Sequence, residues 1–490
     1  MKIRIFYLFV GIFLSSQVVA QTVPDTLWTK TYGGSYTDHS YSIQLTTDGG
    51  YVIVGYTESY GAGNSDFWII KIDENGIEEW NQTYGGNSSD VAHSVQQTSD
   101  GGFIIAGFTW SYGAGNFDIW VVKTDESGNE VWNHTYGGSY FDRAFSIQQT
   151  TDGGYIIAGE TELNVTSSED FWLVKIDEYG NEEWNQIYGG SDKDRAYSVQ
   201  QTTDGGYIVA GYTESYGMGN SDFWIIKTDE NGNEEWNQTY GGDYFDKAYS
   251  IKQTTDGGYI IAGYTESYGI GVSDFWIIKT DESGNEEWNQ TYGGNYFDRA
   301  NSIQQTTDGG YIIAGYTESY GTGQVDFLLV KTDESGDEEW NQTYGGNGYD
   351  YAYSVRQVTD GGYVVAGGTE SYGAGSYDIW LIRLGFETGI NDDNISNNQA
   401  QHLTNFPNPF NPSTTIEFSI LNSSKVKLMI YNIKGQKIKT LANNEFNKGV
   451  YSIIWNGDDE SSNPVSSGIY CYKLNINGKT EAVKKCLLLK

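Results

Sequence analysis

Apolar and polar residues along this chain fall into one arrangement that is written out seven times. In the stretch 236–287, four short runs alternate with turn residues. Residues 248–254 mix apolar and polar side chains and lead into the Asp256-Gly257-Gly258 turn. Residues 259–265 are almost wholly apolar and β-branched, and 274–280 carry Phe275, Trp276, Ile277 and Ile278 in succession. Residues 287–292 are polar again. Short runs bounded by Gly, Asn and Asp predict strands, and no window has the period of a helix. The second and third strands should be buried on both faces, and the fourth should be an edge strand.

Trp28, Trp80, Trp132, Trp184, Trp236, Trp288 and Trp340 stand 52 residues apart, as do the Asp-Gly-Gly aspartates from Asp48 to Asp360. A four-stranded antiparallel unit of this length needs neighbours on both faces, which is the logic of a propeller blade. The fold class is therefore all-β: a seven-bladed β-propeller of seven 52-residue repeats followed by a small β-sandwich domain. The chain enters with a lone fourth strand at 26–32 and leaves the repeats with a third strand at 378–383. These two are expected to pair and close the ring. The order of segments resembles kelch-type propeller repeats over 26–384: an apolar strand ending in glycine, a second apolar strand, a turn, then Trp. It departs in having Ala-Gly or Val-Gly where kelch repeats have a Gly pair; only Gly367-Gly368 matches. It also resembles the repeat propellers of bacterial surface proteins, whose functions differ widely.

Four segments are expected. Residues 1–20 read as a secretory signal, with Lys2 and Arg4 before a short apolar run and Val18-Val19-Ala20 at the cleavage site. No cysteine follows, so a lipoprotein anchor is not expected. The propeller occupies 22–384, an Asn-rich linker 385–402, and a C-terminal module 403–490. That module shows about six alternating strands with Gly and Asn turns, a small β-sandwich. Its opening, Phe406-Pro407-Asn408-Pro409-Phe410-Asn411-Pro412, and its order of strands resemble the type A C-terminal sorting domain of the bacterial type IX secretion system. The resemblance implies that secretion machinery as a partner, transport across the outer membrane, and attachment to the cell surface or release. Cys471 stands where that family has an aromatic residue. If Asn477-Gly478 is a two-residue turn, residue 471 faces 484, and Cys486 lies diagonally on the same face. A disulfide is open to an exported protein, but two small buried apolar residues is the preferred reading.

Charge divides with the domains. Residues 22–400 hold 15 basic and 59 acidic residues, a net −44, whereas 401–490 are net +5. So acidic a ring argues against nucleic acid and anionic membranes as partners. No transmembrane segment is expected.

Catalytic text is sparse. His39, His93, His134 and His402 fall at unrelated positions of the repeat and form no metal spacing. Nearly every carboxylate recurs around the ring, as a scaffold would; a residue that broke the repeat to build an acid/base or metal cluster would favour an enzyme, and the sequence shows none. Thr254-Thr255-Asp256-Gly257-Gly258-Tyr259 partly resembles the Asp-box turn of sialidase propellers, itself structural. The third-strand tryptophans Trp68, Trp120, Trp172, Trp224, Trp276 and Trp380 read as core. Asp229-Glu230-Asn231-Gly232-Asn233 is faintly EF-hand-like, but its glycine comes at the fourth place rather than the sixth. A turn explains it, so no cofactor is expected, with calcium left open.

The long Gly- and Tyr-rich loops should share one face, which is what a binding face looks like. Tyr60, Tyr112, Tyr216, Tyr268, Tyr320 and Tyr372 occupy one position of the second loop, and Trp110 stands in the same loop of the second repeat. Blade three has Asn164 there instead. These aromatics are the candidate ligand-binding residues, suited to stacking on sugars, against the rival reading that they brace the loops. The expected function is a non-catalytic binding or adhesion module for glycans or other surface polymers. A propeller-based hydrolase or lyase and a structural spacer are the alternatives.

Overall fold

A computed structural model describes residues 23–163, 168–385, 400–406, 410, 412–420, 422–432, 436–477 and 479–488. The expected signal peptide and most of the expected linker lie outside the described residues. The chain divides into two compact units, Met1–Gly385 and Phe386–Lys490.

The first unit is the seven-bladed ring, built of seven four-stranded sheets. In the fifth blade the strands are Asp246–Gln253, Tyr259–Thr265, Asp274–Thr280 and Glu286–Tyr292, hydrogen-bonded in that order from the inside outwards. The second and third strands are buried at every residue, and the outer strand is mostly exposed, as the pattern predicted. The last blade takes its outer strand from the start of the chain. Asp25–Tyr32 pairs antiparallel with Asp378–Gly385, so the ring is closed by its own two ends.

Each apolar core lies between two blades. Ile208, Ala210, Phe223 and Ile225 of blade four pack with Ala248, Ile251, Tyr259, Ile261, Trp276 and Ile278 of blade five. The Phe223 and Trp276 rings approach to 4.7 Å. A buried Ile or Phe contributes about 1.5–3 kcal/mol, so the interfaces between blades, rather than single blades, carry the stability. A matching cluster joins Val364, Ala366, Ile379 and Leu381 of the last blade to Ile43, Tyr51, Ile53 and Trp68 of the first.

Polar residues fasten the same joints. Gln97 N donates to Gln44 Oε1 at 2.8 Å across a blade junction. The bond recurs from Gln149, Gln201, Gln253 and Gln357 to Gln96, Gln148, Gln200 and Gln304. Within each blade a buried third-strand cation straps the sheet. Lys279 Nζ lies 2.9 Å from both Asp256 of the Asp-Gly-Gly turn and Glu287 of the outer strand. The inner strand bulges between Ala248 and Ser250, opposite Gly263. A Cβ on Gly263 would run into the Lys247 carbonyl oxygen, which is why glycine stands at this place in the strand in every repeat. The bulge turns the residue at position 249 into the central channel.

The second unit has two sheets. Ala400–Phe406, Thr414–Ile420 and Gly449–Trp455 form one; Lys437–Phe446, Ser424–Asn432, Gly468–Ile476 and Lys479–Leu488 form the other. Of the expected sorting motif, Phe406 ends the first strand, and Phe410 is buried against Trp455 with ring centroids 5.3 Å apart. Pro412 is exposed; Pro407, Asn408, Pro409 and Asn411 lie outside the described residues. The cysteine geometry corrects the sequence reading. A bulge between Leu474 and Asn475 shifts the register by one, so Cys471 pairs with Lys485 and Cys486 with Tyr470. Alternation then puts the two thiols on opposite faces of the sheet. Both are free; Cys486 is buried and Cys471 only partly so.

Candidate functional site

The tyrosine loop is shaped from its first residue. Thr265 Oγ1 accepts the backbone N–H groups of Ser267 and Tyr268 at 3.0 and 3.1 Å, folding the chain back as the strand ends. Ser267 Oγ donates to Asp246 at 2.7 Å, and Ile270 N donates to Asp274 at 2.6 Å. Gly269 has φ +90°, a conformation that glycine adopts without strain. Asp274 and Asp298 of the next blade converge on Gly293. Burial, with Asp298 adding its repulsion, pushes the Asp274 carboxyl up to about 6.

This framework holds Tyr268 over a groove of about 510 Å³ between the outer strands of two neighbouring blades. Thr239, Tyr240 and Gly241 form one side, Glu286, Asn289, Gln290 and Thr291 the other, and Trp276 lies at the bottom. The Trp276 indole N–H donates to Asn289 at 3.2 Å, and the Asn289 amide donates to Glu286 at 2.6 Å. A groove of about 570 Å³ repeats the arrangement at Tyr60, Trp68, Glu78, Asn81, Gln82 and Thr83.

All six candidate tyrosines do the same thing. Each is 45–48% exposed. The hydroxyls of Tyr60, Tyr112, Tyr216, Tyr268, Tyr320 and Tyr372 donate to the carbonyls of Gly33, Gly85, Gly189, Gly241, Gly293 and Gly345 in the preceding blade connection. Five of the rings lean on the third-strand Trp at 4.9–5.4 Å, and Tyr320 has Leu328 in that place. They are braces and groove walls together. The grooves lie along the outer strands, so the long-loop face is only part of the site. In blade three, Asn164 lies outside the described residues; Trp172 is buried at the bottom of a smaller groove beside Leu163 and Ile187. Trp110 is 54% exposed and packs on Phe117 at 5.2 Å. Sequence reasoning placed the third-strand tryptophans in the core. They are buried, yet their indole edges also floor the grooves. It missed Glu286, Gln290 and their equivalents as groove-lining residues, because uniform repetition makes every polar residue look like scaffold.

Blade three also holds the charge that breaks the repeat. Glu160 replaces the Tyr or Phe found at this position in most blades, and it is fully buried. Arg143 reaches its carboxylate at 3.1 Å, and Arg195 clamps the other oxygen. Burial raises the Glu160 pKa while Arg195 and Arg143 oppose the rise. A carboxylate this enclosed has no room for a substrate. A lone Glu in an apolar strand was the available signal. His39 and His93, at different repeat positions, both pack on Tyr41, at 5.2 and 4.6 Å, inside the ring.

Among the described residues, no three His, Cys, Asp or Glu side chains converge as a metal site. The EF-hand-like stretch is a turn: Asp229 accepts the N–H groups of Asn231 and Asn233 and the Asn233 amide, each at 2.8 Å. No helix among them is long and apolar enough to cross a membrane.

Residues 413–480 match the family described as the FlgD Ig-like domain. No curated protein matches the chain. Among solved structures, PorZ of Porphyromonas gingivalis, a bacterial surface component of the type-IX secretion system, is 12% identical with a TM-score of 0.43, over 94% of this chain and 60% of that one. The chain thus spans about three fifths of PorZ. The Neurospora crassa Pan2 WD40 domain is 8% identical with a TM-score of 0.45, over 72% and 90%. A fungal alcohol oxidase of the AA5 family is 11% identical with a TM-score of 0.46, over 96% and 100%.

Proposed function

We propose that this protein is an exported, non-catalytic binding ring, a kelch-like propeller that holds a repetitive glycan at the bacterial surface through its tyrosine grooves. In this reading residues 1–20 direct export. The C-terminal unit serves as the type IX sorting domain, which the buried anchor Phe410 at its entry supports. The observation that carries the binding role is the groove itself. A half-exposed tyrosine, a carboxylate such as Glu286 and amides such as Gln290 meet around a tryptophan edge. The ring face suits the apolar face of a sugar, and the carboxylate and amides suit its hydroxyls. Each contact of this kind contributes only about 1 kcal/mol, so affinity comes from several grooves on one polymer.

The experiment is a glycan array probed with the full chain, followed by Tyr→Ala series on the ligand found. Single changes should barely alter binding, and four together should abolish it while the ring still melts cooperatively. A single change that removes all binding, or a fourfold variant that binds normally, overturns the reading. For export, removal of 403–490 should leave the ring in the periplasm of its host; undiminished surface display refutes the sorting role.

A further inference from the structure

The inner strands line a central cavity of about 330 Å³. Aromatic side chains constrict it: Tyr41 meets His93 at 4.6 Å and Tyr353 at 5.1 Å, and Phe145 meets His93 at 5.0 Å and Tyr197 at 4.9 Å. Three residues along each strand, towards the Asp-Gly-Gly turns, the repeat places a ring of glutamines, Gln44, Gln96, Gln148, Gln200 and Gln304. Each accepts the inter-blade hydrogen bond described above. At the other two places the chain has Lys252 and Arg356, which also line the cavity.

Neither cation can accept that bond, so two blade junctions forgo a contact that the other five keep. Nor is either charge matched. Among the described residues no carboxylate lies within ion-pairing distance of Lys252 or Arg356, in a ring that carries −41 over residues 22–384. The Arg356 guanidinium donates once, to its neighbour's carbonyl at Val355, at 2.8 Å. Burial, with Arg356 adding to it, brings the Lys252 ammonium down to about 8, and burial brings Arg356 to about 10. Two half-buried like charges lining one cavity without a counterion are unfavourable unless something negative joins them.

We propose that the central cavity is an anion site, in which Lys252 and Arg356 hold one small oxyanion of the phosphate or sulfate class, free or as the ester of a small molecule. A planar guanidinium and an ammonium are a suitable pair for a tetrahedral oxyanion, and the flanking glutamine amides supply neutral donors for its remaining oxygens. The site is distinct from the tyrosine grooves and takes a different chemistry.

The test uses the Lys252→Gln/Arg356→Gln double variant of the full chain, which restores the residue found at the five other positions and so keeps the fold. Calorimetric titration is run with inorganic sulfate, inorganic phosphate and a hexose monophosphate, at constant ionic strength in chloride. At least one should bind the parent chain with one site per ring, and the double variant should bind it at least about tenfold more weakly. Inorganic ions binding as well as the ester would identify a free anion; preference for the ester would identify a small-molecule ligand. Without anion, the variant should melt higher than the parent, because a repulsion is removed and two junction bonds return. Absence of binding by all three probes, or equal binding by the variant, overturns the proposal. A variant that melts lower and shows no anion response in either form would assign the two cations a purely structural role.

Discussion

Trp28 lies opposite Arg383 in the antiparallel ladder that joins the first strand of the ring to the last. The same tryptophan packs edge-on against Tyr51 of blade one, at 6.2 Å, and Tyr32 donates to Gly76 of that blade at 2.7 Å. One strand therefore seals blade seven and its junction with blade one. Deleting residues 23–32 should expose the edge of Asp378–Gly385, lower the melting temperature by about 10 °C or more, and promote association. Calorimetry and light scattering would check this; an unchanged melt refutes closure by pairing.

His93 is half-buried and packs among Tyr41, Phe108 and Phe145. Burial, with Arg143 and His39 adding to it, brings its pKa down to about 3. The folded state therefore keeps His93 neutral where the unfolded chain charges it. Its contribution to stability is present above pH 6.5 and is lost as pH falls towards 3. His93→Phe, which copies Phe145 at the same repeat position, should remove this loss. Relative to the parent, the variant should gain about 2 kcal/mol between pH 7 and pH 5, read from denaturant midpoints at each pH. Asp274, whose carboxyl is raised by burial, titrates in the opposite sense, so the difference between the two proteins is the quantity to read.

Gly263 and Gly257 separate two reasons for glycine. Alanine at 263 would drive its Cβ into the Lys247 carbonyl, which backbone movement alone can relieve. Gly263→Ala should cost about 3 kcal/mol. At Gly257 nothing lies within 4 Å of a Cβ, and only φ +94° opposes a side chain. Gly257→Ala should cost about 1–2 kcal/mol. Equal losses in urea unfolding would contradict this division.

Cys486 is buried in the C-terminal core, and burial, with Cys471 nearby, pushes its thiol up to about 12. A thiol reagent at neutral pH should modify Cys471 readily and Cys486 only on unfolding. A reductant should leave the melting temperature unchanged. A chain with no free thiol would show that the register placing them on opposite faces is wrong.

The period, the strand types and the closure were legible because each strand repeats its apolar pattern without a single insertion. Apolar runs such as 259–265 and 274–280 have one stable solution, burial between neighbours. The inner-strand bulge was not legible, since its only trace is Gly263 within the second strand. For the same reason His39 and His93 looked unrelated, although the bulge brings both onto Tyr41. The tyrosines stood out by type and position, but their hydroxyl bonds to the preceding connection depend on how blades meet. In the C-terminal unit, one extra residue near Asn475 moved every partner of Gly468–Ile476 beyond it by one place.

Seven blades with nearly the same inner faces could in principle dock in any order, or exchange partners between chains. The buried Glu160, gripped by Arg143 of its own blade and Arg195 of the next, is the one acidic residue at this repeat position and marks a single junction. Docked instead against blade one, two or seven, Glu160 would meet His39, Val91 or Tyr351 in the place of Arg195. The single irregular carboxylate thus works as a partial address, turning blade three away from blades one, two and seven as its next neighbour.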